Sequence, residues 1–126
     1  MDLNQITLPV RDIPEAVAFY KRMGFRQIVD SPHYARFETP EGDATFSLHQ
    51  ADASLCWHGV VVYFETERLD ELVEELTRNG IVFFQRPRDT DWLWREARLK
   101  NPSGNEICLY HAGENRKNPP WKITDP

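Results

Sequence analysis

Cysteine is scarce in this sequence: Cys56 and Cys108 are its two, too few for a disulfide framework and without the clustered spacing of a zinc site, so both read as reduced thiols. Long apolar runs are missing as well. No stretch approaches the roughly 18 residues that span a bilayer. The N-terminal MDLNQITLPVRD has neither the charged start nor the apolar centre of a signal peptide. A cytoplasmic protein with no membrane partner is therefore expected. A block of consecutive basic residues is also absent. With a formal net charge of −5 the chain lacks the electrostatic footprint of a nucleic-acid binder, which leaves small molecules and proteins as partners.

What the chain does have is internal repetition. Residues 95–111, REARLKNPSGNEICLYH, read as a hairpin around the turn residues Pro102, Ser103, Gly104 and Asn105. Residues 34–49, YARFETPEGDATFSLH, repeat it, with Ala35, Arg36, Pro40 and Gly42 recurring 62 positions later as Ala97, Arg98, Pro102 and Gly104. A helix precedes each hairpin. Ile13, Ala16, Val17, Tyr20 and Gly24 are answered 56 positions later by Leu69, Leu72, Val73, Leu76 and Gly80, the spacing of an amphipathic helix closed by a glycine. The second half thus carries six extra residues, near 85–94, between its helix and its hairpin.

At 126 residues and 40% hydrophobic, the chain suits one domain able to bury a real core. Residues 4–10 alternate as a half-buried strand, and Asp12, Pro14 and Glu15 make a capping-box-like helix start. Strands follow at 25–30, 34–38 and 45–49, giving a βαβββ order. Residues 51–57 form a linker between modules at about 3–50 and 58–111. The second module begins with a strand at 58–65 and a helix at 67–78, and continues with a strand at 81–85. The tail 112–126, rich in proline and polar residues, reads as extended, with Trp121 as its large apolar anchor.

Two tandem βαβββ modules, a helix ending near Met23-Gly24-Phe25 and the strand entry NPSGNEICLYH at 101–111 together resemble the vicinal oxygen chelate superfamily, which includes glyoxalase I, extradiol dioxygenases and bleomycin-resistance proteins. The resemblance covers residues 3–111. It implies an α+β fold in which two βαβββ modules form a curved mixed sheet around a central cavity, and for the superfamily's enzymes a divalent metal in that cavity. By position the metal ligands would be Gln5, Ser47, Val61 and Cys108. Val61 cannot ligate, serine is a poor ligand and a thiol suits oxygen-rich sites badly, so no metal site and no cofactor are expected. His49, a strand step beyond Ser47, and His58, which needs a bulge to turn inward, are the two possible substitutes for the missing donors. The resemblance also implies a homodimer.

Strand phase puts Ile6, Leu8, Phe46, Leu48, Val60, Val62, Ile107 and Leu109 against the helices. The opposite face then holds Gln5, Thr7, Ser47, His49, Val61, Tyr63, Cys108 and Tyr110, with Arg36, Glu96 and Arg98 added from the neighbouring strands. Arg36 reads as an edge charge or part of a structural ion pair. Arg98 suits an anionic or carbonyl group through its planar fork, and Glu96 or His49 could move a proton. The extra residues bring Trp92 and Trp94, which read as an aromatic lid over a flat ligand. Cys108 has no sequence-adjacent base to make it a nucleophile. The expected function is binding of a small, flat or anionic molecule, with Gln5, Thr7, Ser47, Tyr63, Trp92, Trp94, Arg98, Cys108 and Tyr110 as contacts and His49 and Glu96 as candidate catalytic groups. A divalent-metal lyase, isomerase or dioxygenase and a ligand-free interaction scaffold are the rival readings.

Overall fold

The structure, a computed structural model, describes residues 1–56 and 59–123, without the side chain of Leu55. His58, a possible metal ligand by sequence, lies outside the described residues, as does Trp57 of the linker.

The first helix, α1 (Ile13–Arg22), starts where the Asp12 carboxylate accepts a hydrogen bond from the Glu15 amide at 2.9 Å, with Pro14 in its first turn. It stops at Gly24, whose φ of +96° places the chain in the left-handed region that glycine enters without a Cβ clash. Its buried stripe is Ile13, Ala16, Phe19 and Tyr20. The second helix, α2 (Leu69–Arg78), repeats the design with Leu69, Val73 and Leu76 buried, and Gly80 at φ +87° beyond its end.

Around each helix wraps a four-stranded sheet. The first holds β1 (Gln5–Val10), β2 (Arg26–Ser31), β3 (Tyr34–Glu38) and β4 (Thr45–Gln50) in the order β1-β4-β3-β2. The second holds β5 (Val61–Glu65), β6 (Phe83–Asp89), β7 (Arg95–Lys100) and β8 (Glu106–His111) in the order β5-β8-β7-β6. In both, the first strand runs parallel to the last and the remaining pairs are antiparallel, so the sequence repeat is also a repeat of topology. The fold is α+β with two modules and two sheets.

The modules join through their helix-side cores. Phe64 on β5 meets Phe25 and Phe46 of the first module at ring separations of 5.2 and 5.7 Å. The buried Tyr20 hydroxyl accepts a hydrogen bond from Asn101 Nδ2 at 2.9 Å. The same Asn101 organises the β7–β8 turn, its Oδ1 accepting from the amides of Ser103 and Asn105, and Ser103 Oγ accepts from the Arg11 amide. A turn rich in hydrogen-bonding side chains thus docks one module on the other.

Two regions differ from the sequence expectation. Residues 86–89 extend β6 as strand, so the extra residues lengthen the β6–β7 hairpin and leave only Thr90–Trp94 as its tip, where Thr90 and Trp94 exchange hydrogen bonds. The tail forms a single helical turn, α3 (Glu114–Lys117), because the Glu65 carboxylate accepts from the amides of Ala112 and Gly113 at 2.8 and 2.9 Å and ties the tail's start to the second sheet.

Candidate functional site

Between the modules opens a cavity of about 530 Å³. Its walls are apolar: Ile6, Phe25, Phe46, Phe64, Leu72 and Leu76, drawn from both modules. Of the residues singled out from sequence, Gln5 and Tyr63 line it. Gln5 sits on β1, where its Oε1 accepts from the Thr45 hydroxyl at 2.8 Å. At the rim, Arg68 pairs with Glu71 and Glu75, while Glu65 faces Arg116. Burial pushes the Glu65 carboxyl up, but the Ala112 and Gly113 amides with Arg116 and His111 outweigh it and hold the group below the ordinary range.

The other candidates lie on the sheet faces turned away from the helices, and because the modules meet through their helix-side cores, these residues do not line the cavity. On the first sheet, Thr7, Ser47 and Arg36 are cross-strand neighbours, and Tyr34 pairs with the exposed His49. Ser47 is fully buried, its hydroxyl 2.6 Å from that of Thr7. On the second sheet, Trp94 stacks on Tyr110 with centroids 4.7 Å apart, and Tyr63 packs edge-on against both. Trp94 also donates from Nε1 to the Asn115 carbonyl, so it covers its own sheet rather than the cavity. Trp92 stands exposed at the hairpin tip.

Beside these rings lies an ion cluster. Arg98 donates to Glu96 at 3.2 Å, to Glu106 through a short contact and to the Tyr63 hydroxyl at 3.4 Å. Burial disfavours its cation, yet Glu106, Tyr63 and Glu96 together make the guanidinium even harder to deprotonate. Its fork is therefore occupied by two carboxylates, which leaves it unsuited to hold the anionic group that sequence assigned to it. Glu96, with 1% of its surface exposed, accepts from Arg98 and from the Cys108 thiol at 3.6 Å. His49 and Glu96 are on different sheets and do not form one catalytic pair.

The inherited metal positions do not fit a divalent ion. Burial first, then the Glu96 charge, pushes the Cys108 thiol up to about 12, so it stays protonated rather than offering a thiolate. Val61 contributes no donor, the Ser47 hydroxyl is bonded to Thr7 and the Gln5 carbonyl to Thr45. Among the described residues, no group of three or more His, Cys, Asp or Glu side chains is spaced to hold a metal.

Sequence reading overlooked two features. The cavity walls carry no signal in the sequence, since Phe25, Phe46 and Phe64 look like any packed aromatics. Glu106 was unremarked, although the repeat sets it against the uncharged Thr45 of the first module, both standing first on their strands.

The family model described as Glyoxalase/Bleomycin resistance protein/Dioxygenase superfamily matches residues 2–109. No curated protein matches the chain. Among solved structures, it is similar to a glyoxalase/bleomycin resistance protein/dioxygenase family enzyme from Burkholderia phytofirmans, with 23% identity over 89% of this chain and 99% of the other at a TM-score of 0.71. It is also similar to an antibiotic binding protein from a Streptomyces species, with 22% identity over 89% and 96% at a TM-score of 0.75. A bleomycin-binding protein complexed with bleomycin matches at 21% identity over 88% and 98%, with a TM-score of 0.69.

Proposed function

The chain belongs to the glyoxalase/bleomycin resistance protein/dioxygenase superfamily, and we propose that it binds a small, flat organic molecule in the cavity between its modules. The size of that cavity, about 530 Å³, carries the reading. Small-molecule sites fall at roughly 300–1,000 Å³, with apolar walls and a few polar groups. Phe25, Phe46 and Phe64 meet edge to face, an arrangement that offers ring faces and edges to a planar guest. Gln5 and Tyr63 supply the polar contacts. The binding properties named for two of the structural neighbours support the same class of activity.

The proposed activity is binding without a resident metal, in a homodimer. Exposed apolar side chains at Ile28 on β2, an edge of the first sheet, and Phe84 on β6, an edge of the second, support the dimer, because unpaired edges carrying apolar groups favour a partner.

The test is a titration with anilinonaphthalene sulfonate, a flat anionic fluorophore, on wild type and Ala44→Trp. Ala44 lines the cavity yet is exposed, so a tryptophan there fills space without overpacking the core. Saturable binding, weakened at least tenfold in Ala44→Trp with unchanged circular dichroism, is expected. Equal affinity in the two proteins refutes the cavity as the site.

A further inference from the structure

The repeat relates two seams between the modules, and one of them is closed. There the β7–β8 turn, residues 101–105, lies against the first module. Asn101 Nδ2 donates to the Tyr20 hydroxyl at 2.9 Å, Ser103 Oγ accepts from the Arg11 amide at 2.9 Å, and the Arg11 guanidinium donates to the Pro102 carbonyl. Asn101, Ser103 and Asn105 are buried in consequence. Carried through the repeat, the hairpin offset of 62 sets Thr39, Pro40 and Glu41 in the places of Asn101, Pro102 and Ser103, while the helix offset of 56 sets Leu76 in the place of Tyr20 and Glu67 in that of Arg11. Thr39, Pro40, Glu41 and Leu76 all line the cavity of about 530 Å³. The cavity is therefore the second seam, open where the first is filled by a turn.

Each of these differences removes a contact that closes the first seam. Asparagine has two arms: Asn101 Oδ1 accepts from the Ser103 and Asn105 amides, both at 3.0 Å, which shapes its own turn and leaves Nδ2 free to reach Tyr20. Threonine has one donor. The Thr39 hydroxyl is directed at the Glu41 and Ala44 carbonyls of its own turn, at 2.6 and 3.2 Å, so it has no second donor to send across. Opposite it, Leu76 carries no hydroxyl to receive one. Glu67 is an acceptor where Arg11 is a donor, so its side chain cannot bond the Pro40 carbonyl, and Glu41 would meet it with a like charge. The turn is also longer, since six residues separate Glu38 from Thr45 and five separate Lys100 from Glu106. Residues 40–44 are exposed as a result.

The missing tyrosine also sets what the seam can hold. Beside the buried Leu76 the floor is made by Phe25, Phe46, Phe64 and Leu72, whereas the exposed Glu41, Arg68, Glu75 and Asn79 stand at the mouth. Arg68 spends its charge on Glu71 and Glu75 of its own helix. On the reading that this cavity is the small-molecule site, we infer that Leu76 and Thr39 are the residues that keep it open, and that a guest fills the second seam as the β7–β8 turn fills the first, with its apolar end on Leu76.

The test uses the full chain and N-phenyl-1-naphthylamine, a flat uncharged fluorophore whose affinity does not follow charge at the mouth. Two pairs of substitutions copy the closed seam into the open one: Leu76→Tyr with Thr39→Asn inside, and Glu67→Arg with Glu41→Ser outside. Each pair should weaken the probe by roughly tenfold or more, and the wild-type Leu76 methyl resonances should move on saturation. Urea unfolding of each pair as a double-mutant cycle should show the double variant more stable than its two singles predict, because a bond forms across the seam. Leu76→Phe, which brings the ring without the hydroxyl, should show no such coupling to Thr39→Asn. The outer pair changes exposed residues alone, so it reads the closure even where the larger ring at position 76 prevents folding. A wild type that ignores the probe while the cycles couple would refute the binding reading and still support Leu76 and Thr39 as the residues that hold the seam open. Probe affinity unchanged in the double variants, or cycles without coupling, would overturn the inference.

Discussion

Replacing Arg98 by methionine should cost about 3 kcal/mol of stability, at the low end of the 3–5 kcal/mol seen when one partner of a buried ion pair is removed. The structure sets that position within the range. The Glu96 side chain is 2% exposed and loses its cation outright, whereas Glu106, at 24%, can turn to water and contributes little. Methionine keeps most of the stem volume, so the loss is electrostatic rather than a cavity. The double variant Glu96→Gln with Arg98→Met removes the orphaned charge and should recover at least half of the deficit, since replacing both partners is often close to neutral. Urea unfolding followed by tryptophan fluorescence measures both, with the slope against denaturant verifying that the unfolded state is unchanged. A single variant within 1 kcal/mol of wild type, or a double variant no better than the single, would show that Glu96 does not depend on Arg98 and that the Arg98 fork is free for ligand.

Elemental analysis of the purified protein should find no stoichiometric zinc, nickel, iron or manganese; one equivalent lost in Gln5→Ala or His49→Ala would restore the metal-enzyme reading. Cys108 should resist iodoacetamide between pH 7 and 9 in the native protein and react on unfolding, because burial and Glu96 push its thiol up to about 12. A thiol raised in the folded state contributes stability that is complete below the unfolded value and lost as pH rises through the folded one. Cys108→Ser should therefore flatten the alkaline loss of stability between about pH 9 and 12. Light scattering at micromolar concentration should give twice the chain mass, and Phe84→Glu on the exposed β6 edge should lower it to the monomer; an unchanged dimer in that variant would move the interface elsewhere.

Much of the fold was legible because the chain states its plan twice. The helix stripes, the closing glycines and both hairpins recur at fixed offsets, and each copy supports the other where local patterns are short. Strand parity also placed Leu8, Phe46, Leu48, Val62, Ile107 and Leu109 in the shared core, where they are buried. The extra residues near 85–94, which suggest an aromatic lid in sequence, instead continue β6 as far as Asp89. Proline is tolerated there because β6 is an edge strand, where a missing donor faces no neighbour. The tail turn was unreadable in sequence, since four residues carry no periodicity and the group that anchors it, Glu65, is 47 positions away from Ala112.

The candidate site was harder to read for a different reason. Parity tells which face a side chain occupies but not what that face meets, and the sequence could not reveal that the modules pack through their helix-side cores. Gln5 and Tyr63 line the cavity, while their same-face neighbours Thr7, two residues along the same strand as Gln5, and Cys108 do not. The charged residues show the same limit. Arg36 and Arg98 are identical in sequence terms, each after an alanine in the middle of a hairpin strand, and only their neighbours separate a cation locked between carboxylates from one bonded to hydroxyls. In a duplicated chain, positions that agree in both halves mostly record what the backbone requires. Tyr34 against Glu96, Glu38 against Lys100 and Thr45 against Glu106 are among the places where the halves disagree in charge, and those disagreements give the two sheets different chemistry on the same frame.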